Sequence, residues 1–108
     1  MTTMQALILD HDDSFVWNIS AWLKPYFKVT IIDHQDTKKT NLDDFDLIIL
    51  SPGPKAPTDY PDTIHLIKTL PDQKAVLGIC LGMQMITMAH QGVVQELPHP
   101  VHGKRSLF

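Results

Sequence analysis

The sequence is poor in cysteine, in excess basic charge and in long apolar runs. One cysteine among 108 residues cannot form an internal disulfide, which indicates a reducing, cytoplasmic setting. Nine Lys and Arg against twelve Asp and Glu give a net charge of -3, so no nucleic-acid-binding surface is expected. No stretch approaches the roughly 18 apolar residues that span a bilayer, and the first residues, MTTMQALILD, show no leader pattern. We therefore expect neither nucleic acid nor a membrane as a partner.

The residues that are present suit one globular domain. Hydrophobic residues make up 44% of the sequence and charged residues 19%, an ordinary balance for a chain that buries a core. A chain of 108 residues holds one domain at most. No repeat, linker or low-complexity tract divides it, so residues 1–108 are expected to form a single unit.

Short apolar runs alternate with segments of helical spacing. The runs are continuous, as in strands that are buried on both faces, and predict strands at 6–9, 29–32, 47–50 and 75–79. Apolar residues at helical spacing predict three helices, at about 15–25, 61–70 and 81–90, the first with Asp13 or Ser14 as its N-cap. The first helix has its apolar positions at Phe15, Ile19, Trp22, Leu23 and Tyr26.

Two further segments carry weaker signals. Residues 36–44 are polar and predict a connection that holds a turn of helix. Gly92 is expected to stop the third helix, and residues 93–108 predict one or two short strands interrupted by prolines.

The order of these elements predicts the fold class. Strands that alternate with helices in one short chain indicate an open α/β fold with a mostly parallel sheet and helices on both faces. The carboxyl ends of parallel strands share one edge of the sheet, and ligands bind in the crevice outside that edge. The loops after the third and fourth strands are therefore expected to meet there.

The loop after the third strand reads SPGP. Pro52 and Pro54 have no N–H group, so Gly53 offers the only backbone donor of the Pro-Gly-Pro triplet. The prolines also restrict the conformation of the residues before them. A rigid amide donor beside a ligand crevice is what an oxyanion hole requires, and Gly53 is our first candidate for one.

The loop after the fourth strand carries the single cysteine, Cys80, in the segment GICLG. This is the thiol counterpart of the G-x-S-x-G nucleophile elbow, in which small residues such as Gly78 and Gly82 permit a strained turn from strand to helix. Cys80 is then expected to be exposed at a helix N-terminus, where the local field favours the thiolate. The amide of Leu81 is the natural second oxyanion donor, opposite Gly53.

Structural alternatives exist for both candidate polar groups. An isolated cysteine at a strand end is usually a small buried residue, but the flanking glycines and the facing donor loop favour a nucleophile at Cys80. Gln84 lies one helical turn after Cys80 and can reach the same pocket. Otherwise Gln84 is an ordinary polar residue on the surface of the helix.

Four segments of the sequence resemble a known family. GICLGMQ at 78–84 and SPGP at 51–54 are similar to motifs of the class I (triad) glutamine amidotransferases. DHDDSFVWN at 10–18 resembles the D-x-x-D-S-F-x-x-N segment of the amidotransferase component of anthranilate synthase and of aminodeoxychorismate (para-aminobenzoate) synthase. HGK at 102–104 resembles the H-G-K found later in the same subfamily. The resemblance covers the whole chain, which looks like the N-terminal part of a single amidotransferase domain.

The resemblance implies a flavodoxin-like sheet and a glutaminase reaction. Glutamine would be hydrolysed through a thioester on Cys80, with oxyanion amides from Gly53 and Leu81 and with Pro52, Gly53 and Gln84 contacting the substrate. Ammonia would pass to a chorismate-binding synthase subunit, component I, which decides between anthranilate and aminodeoxychorismate and so between the tryptophan and folate pathways. No metal or organic cofactor is expected on this chain, and magnesium is implied for the partner alone.

The base of the expected triad has no counterpart in the sequence. The family carries a histidine and a glutamate in an H-x-E motif, and none of the six histidines here is followed two places on by glutamate. His102 matches the H-G-K segment instead. We therefore expect the chain alone to be inactive. Its truncated sheet, with exposed apolar surface and an unpaired edge, is expected to favour self-association or disorder at the C-terminal end.

Two other functions remain open from the sequence. A non-catalytic binding or regulatory module could keep the amidotransferase fold without turnover. A different cysteine-elbow hydrolase on a related sheet would need neither the D-S-F segment nor Gln84.

Overall fold

Continuous apolar runs form the strands, and the segments of helical spacing form the helices, as the sequence predicts. A computed structural model describes residues 3–71 and 73–89. The strands are β1 (Gln5–Asp10), β2 (Lys28–Asp33), β3 (Leu47–Leu50) and β4 (Ala75–Gly78), and the α-helices are α1 (Val16–Leu23), α2 (Pro61–Thr69) and α3 (Leu81–Ala89). Within these ranges, no helix has both the length and the apolar character needed to cross a membrane. The Gly92 stop, the strands predicted in 93–108 and the HGK segment lie outside the described residues.

All four strands are parallel and lie in the order β2-β1-β3-β4. The last residues of β3 and β4, Leu50 and Gly78, lie opposite each other. Parallel neighbours need crossover connections, and these are α1, a pair of 3-10 helices at His34–Lys39 and Leu42–Asp44, and α2. The predicted open parallel sheet is confirmed, and so is the turn of helix predicted within 36–44.

The sheet has a separate apolar core on each face, because successive strand residues point to opposite sides. The core between the sheet and α2 and α3 takes alternate residues of β1 and β3, namely Leu7, Leu9, Ile48 and Leu50. The core on the other face joins Ile8 and Ile49 to Val16 and Ile19 of α1. The six strand residues are all fully buried. Helices on both faces are therefore confirmed.

The start of α1 and its aromatic residues differ from the prediction. Asp13 or Ser14 as the N-cap is wrong, because α1 begins at Val16 and its N-cap is Phe15, which makes no side-chain capping hydrogen bond. The side chain of Asp13 instead binds the residue before the helix: its Oδ1 accepts the N–H of Phe15 at 2.8 Å. Trp22 and Tyr26 do not face the core: their exposed fractions are 60% and 75%. The ring of Trp22 packs edge-on against Phe15 instead.

Candidate active site

Cys80 lies in the sharp turn between β4 and α3, and its side chain is exposed. Its φ of 54° is in the left-handed region, which costs a residue with a Cβ roughly 1–2 kcal/mol. Strain of this kind persists only where the surrounding structure enforces it, and it is concentrated at functional sites. The structure thus shows the exposed thiol and the strained turn that the GICLG segment predicts.

The glycines on either side of Cys80 lie where no side chain fits. A Cβ on Gly82 would overlap the carbonyl oxygen of Leu50 and lie 2.7 Å from the Leu50 Cβ. Gly78, at the end of β4, faces the backbone of Gly82. The first turn of α3 therefore sits directly on the end of β3, and this close approach places the thiol at the carboxyl edge of the sheet.

The SPGP loop meets the Cys80 turn, as expected for two neighbouring strands of a parallel sheet. A Cβ on Gly53 would lie 2.6 Å from Cδ2 of Leu81 and 2.7 Å from the backbone oxygen of His11. Gly53 is therefore wedged between the residue that follows the thiol and the residue that follows β1. Only a residue without a side chain can occupy this position without displacing one of its neighbours.

The backbone N–H groups of Gly53 and Leu81 differ from those around them in their hydrogen bonding. Three N–H groups near the turn are occupied: Ile79 donates to Leu50, Gly82 to Ile79, and Gln84 to Cys80, at 3.0 to 3.1 Å. Within residues 3–71 and 73–89, neither the Gly53 nor the Leu81 N–H has a hydrogen-bond acceptor. The two amides predicted as oxyanion donors are thus available to a ligand in the described part of the chain.

The two other predicted substrate contacts lie in the same region. Pro52 is half-buried in the loop before Gly53. Gln84 is half-buried in the first turn of α3, and its backbone N–H donates to the carbonyl oxygen of Cys80. Their contact with glutamine stays a prediction.

His11 is a buried residue of this edge that sequence reasoning missed. It follows β1 directly and has no exposed surface. Its Nδ1 lies 3.2 Å from the backbone oxygen and 3.1 Å from Oγ of Ser51, and its Nε2 lies 2.8 Å from Oγ1 of Thr63. The phenol of Tyr60 donates to its backbone oxygen at 3.2 Å. The segment HDDS at 11–14 predicts a polar turn after the first strand, and no sequence periodicity marks its histidine as buried.

The protonation state of His11 follows from these contacts. Burial, with a smaller contribution from nearby His34, lowers the pKa of His11 from 6.5 to about 4. The hydrogen bond with Ser51 and the carboxylates of Asp12 and Asp33 act in the opposite direction. The ring is therefore neutral at pH 7, with one N–H donor and one acceptor nitrogen.

One group of side chains in the described ranges could hold a metal ion. The ligand atoms of Asp12, Asp33 and His34 lie within 4.8 Å of one another, at the carboxyl ends of β1 and β2. No motif with metal-ligand spacing predicts this group, because the fold brings Asp12 to two residues that are adjacent in sequence. His34 Nε2 lies 3.4 Å from Oδ2 of Asp12, and an imidazole beside carboxylates is an ordinary polar contact. The cluster alone does not indicate a metal centre.

Comparison with known proteins places this chain in a family. The family model described as glutamine amidotransferase class-I matches residues 7–108. Anthranilate synthase component 2 of Methanocaldococcus jannaschii is 38% identical over 113 residues, which cover 100% of this chain and 55% of that protein. Anthranilate synthase component 2 of Lactococcus lactis is 35% identical, covering 93% of this chain and 51% of that protein. The chain thus spans about half the length of the curated relatives it matches.

The fold has solved counterparts. A glutamine amidotransferase from Thermotoga maritima superimposes with a TM-score of 0.63 over 82% of this chain and 44% of its own, at 20% sequence identity. At that identity the likeness concerns the fold alone, and it agrees with the flavodoxin-like sheet that the resemblance implied. Since the family model covers nearly the whole sequence and the fold agrees, the chain belongs to the class-I glutamine amidotransferases.

Proposed function

We propose that Cys80 is the nucleophile of a glutaminase reaction and that the Gly53 and Leu81 amides form its oxyanion hole. The observation that carries this proposal is the position of an exposed thiol in a left-handed turn, beside two amides that have no hydrogen-bond acceptor among residues 3–71 and 73–89. The packing of Gly53 against Leu81 keeps the two donors on neighbouring loops. Pro52 and Gln84, at the same edge, are the proposed contacts for the rest of the glutamine molecule.

The chemistry requires a thiolate, two donors and a proton carrier. The sulfur of Cys80 attacks the side-chain carboxamide carbon of glutamine, and the carbonyl electrons move to the oxygen, which the two amides stabilise. The carbon–nitrogen bond then breaks. Nitrogen takes up the proton that the thiol released and leaves as ammonia, so that a γ-glutamyl thioester remains. Water hydrolyses the thioester to glutamate and restores the thiol.

His11 does not suit the role of proton carrier. Both of its ring nitrogens are hydrogen-bonded to Ser51 or Thr63, and its pKa of about 4 leaves it neutral and weakly basic. A general base works best with a pKa near the operating pH. Since the sequence also contains no H-x-E motif, we expect the 108-residue chain by itself to hydrolyse glutamine very slowly.

The wider role is proposed from the relatives. Proteins similar to this chain are components 2 of anthranilate synthase. We propose that residues 1–108 are the N-terminal part of such an amidotransferase domain, acting in the cytoplasm. Its ammonia would serve a chorismate-using component I that makes anthranilate or aminodeoxychorismate. The partner subunit, not this chain, would select the product.

The proposal is tested by labelling the thiol with an electrophilic glutamine analogue. The chain is incubated with 6-diazo-5-oxo-L-norleucine, and the adduct is located by intact mass and peptide mapping. We expect one adduct on Cys80, with L-glutamine slowing its formation and D-glutamine leaving the rate unchanged. The Cys80→Ser variant controls for reaction elsewhere.

The labelling result also separates the alternative function. A non-catalytic module with this fold has an exposed cysteine but no site for the analogue. Modification of Cys80 by iodoacetamide together with no labelling by the analogue, or labelling that neither isomer slows, would contradict the glutaminase proposal.

A further inference from the structure

The peptide bond between Pro52 and Gly53 has a fixed orientation. The hydroxyl of Ser51 donates to the backbone oxygen of Pro52 at 3.1 Å. The described residues contain no cis peptide bond, and in a trans peptide the N–H points opposite to the carbonyl of the same plane. Holding the Pro52 oxygen therefore also sets the direction of the Gly53 N–H.

Ser51 is in turn held by His11. Ser51 has no exposed surface. Its Oγ accepts the backbone N–H of His11 at 3.1 Å, and Nδ1 of the same histidine lies 3.1 Å from Oγ and 3.2 Å from the Ser51 backbone oxygen. Two nitrogens of His11 thus converge on Ser51, across 40 residues of sequence.

Only one arrangement of protons satisfies all these contacts. The backbone oxygen of Ser51 can only accept, so Nδ1 of the neutral His11 ring must carry the proton. Nε2 is then the acceptor, and the hydroxyl of Thr63 donates to it at 2.8 Å. Because the Ser51 Oγ already receives N–H groups from His11, its own proton is free to bind the Pro52 oxygen. The tautomer of His11 and the direction of the Gly53 amide are therefore linked.

The backbone oxygen of His11 packs against the SPGP loop at Gly53. Its carbonyl oxygen accepts the Tyr60 hydroxyl at 3.2 Å and lies so close to Gly53 that a Cβ there would be 2.7 Å away. Rotation of the Pro52–Gly53 peptide would break the hydrogen bond that the buried Ser51 hydroxyl donates to the partly buried Pro52 oxygen, and a buried hydroxyl without a partner is costly. A single orientation of the amide is thereby favoured before any ligand binds.

We propose that Ser51 and His11 are positioning residues that aim the Gly53 amide at the oxyanion. The inference rests on the proposed function, because it takes Gly53 as an oxyanion donor. Neither residue touches the substrate: Ser51 orients the peptide plane, and His11 fixes the hydroxyl of Ser51. Catalysis by fixed donors depends on their being aimed at the developing charge beforehand, so the loss of either residue should affect reactions that form an oxyanion.

The test compares two reagents on the same thiol of the 108-residue chain. p-Nitrophenyl acetate acylates Cys80 through a tetrahedral oxyanion, and its leaving group needs no proton donor. Iodoacetamide reacts by displacement at a saturated carbon and forms no oxyanion. For each chain, the second-order rate constant for p-nitrophenyl acetate is divided by that for iodoacetamide, and the result is divided by the same quotient for N-acetylcysteine. This ratio cancels differences in exposure and in the thiolate fraction.

We expect Ser51→Ala to lower this ratio about tenfold, a part of the loss seen when a whole donor is removed. His11→Leu should lower it similarly, while His11→Asn, whose amide can still donate to Ser51, should recover most of it. Thr63→Val is the matched control: it removes a buried hydroxyl that reaches only the far side of His11, so it should lower stability and leave the ratio within about twofold of wild type. Circular dichroism establishes that each variant is folded.

The outcomes separate this inference from the proposal on which it rests. A folded Ser51→Ala chain with the wild-type ratio would overturn the positioning role and leave Cys80 and Gly53 in theirs. Should Ser51→Ala not fold, equal ratios in His11→Leu and wild type would overturn it in the same way. A wild-type ratio no higher than that of N-acetylcysteine would show that Gly53 is not an oxyanion donor, and would overturn this inference with it. Labelling of Cys80 by the glutamine analogue would still support Cys80 as the nucleophile.

Discussion

Gly78 and Gly82 approach each other backbone to backbone across the turn that carries Cys80. A Cβ built on Gly78 would lie 2.6 Å from the carbonyl carbon of Gly82 and 2.6 Å from the amide nitrogen of Met83. Both atoms belong to the backbone of α3, which cannot move aside as a flexible side chain can. Steric contact therefore explains why glycine stands two residues before Cys80 and again two residues after it.

Replacing Gly78 by Ala should destabilise the fold. The methyl group would push the start of α3 away from β4, and overpacking of this kind costs up to about 3 kcal/mol. The free energy of unfolding is measured by urea denaturation. Ala21→Gly, at an exposed position of α1, is the control and should cost only about 1 kcal/mol through helix propensity. A smaller loss for Gly78→Ala than for the control would contradict the steric explanation.

Replacing Cys80 by Gly or by Ala should separate the backbone strain from the thiol. Both variants lose all labelling, because the nucleophile is gone. Glycine adopts φ of 54° freely and alanine does not, so Cys80→Gly should be more stable than Cys80→Ala by about 1 kcal/mol. Thermal or urea unfolding measures the difference. If Cys80→Ala is the more stable of the two, the left-handed turn is not present in solution.

His11 should make stability depend on pH below neutrality. Its pKa is about 4 in the folded chain and 6.5 when unfolded, so between these values the unfolded chain binds a proton that the folded chain does not. The contribution of His11 is complete above pH 6.5 and is lost as the pH falls towards 4. The total loss is about 3 kcal/mol.

The pH effect is isolated by comparison with His11→Asn. Asparagine does not titrate in this range, so the free energy of unfolding of the variant should fall less steeply between pH 6.5 and 4. The difference between the two slopes is read from urea denaturation at several pH values. Parallel curves for wild type and His11→Asn would mean that His11 titrates normally in the folded chain.

Lys74 should stabilise the loop before β3 through its ammonium group. Its Nζ donates to the backbone oxygens of Leu42 at 3.1 Å and Phe45 at 2.7 Å. Hydrogen bonds from a charged donor contribute about 1.5–3 kcal/mol, and this site is half-buried, so Lys74→Met should lower the free energy of unfolding by about 1–2 kcal/mol. Lys68→Met, at an exposed position of α2, is the matched control and should change it little. Equal effects of the two substitutions would show that the contacts of Lys74 contribute nothing.

The sheet and the Cys80 turn could be predicted because their signals are local. Each strand is a continuous apolar run, and the GICLG and SPGP segments contain within a few residues the glycines and prolines that shape each loop. Parallel-sheet geometry then brings the two loops together. The aromatic residues of α1 misled the prediction, because helical spacing alone does not separate a face that packs on the sheet from Trp22, which packs against its neighbour Phe15.

The network around His11 could not be predicted because it is made by distant residues. His11 meets Ser51 across 40 residues and Thr63 across 52. His11 and Ser51 lie in motifs of the sequence, but nothing in either motif indicates that the two side chains are in contact. The same holds for Asp12 beside His34. Predictions about residues 93–108, and about self-association of the chain, concern features that the described residues do not include, and they stay predictions.

The sheet order has a consequence for when the thiol site can form as the chain leaves the ribosome. β1 is synthesised first but pairs with β2 on one side and β3 on the other, so its burial waits until residue 50 has emerged. Gly82 packs against Leu50, so the packing that holds the turn at Cys80 forms only after residue 82 has also emerged. Contacts so far apart in sequence slow folding. The strained turn is therefore expected to be among the last features of this region to form during synthesis.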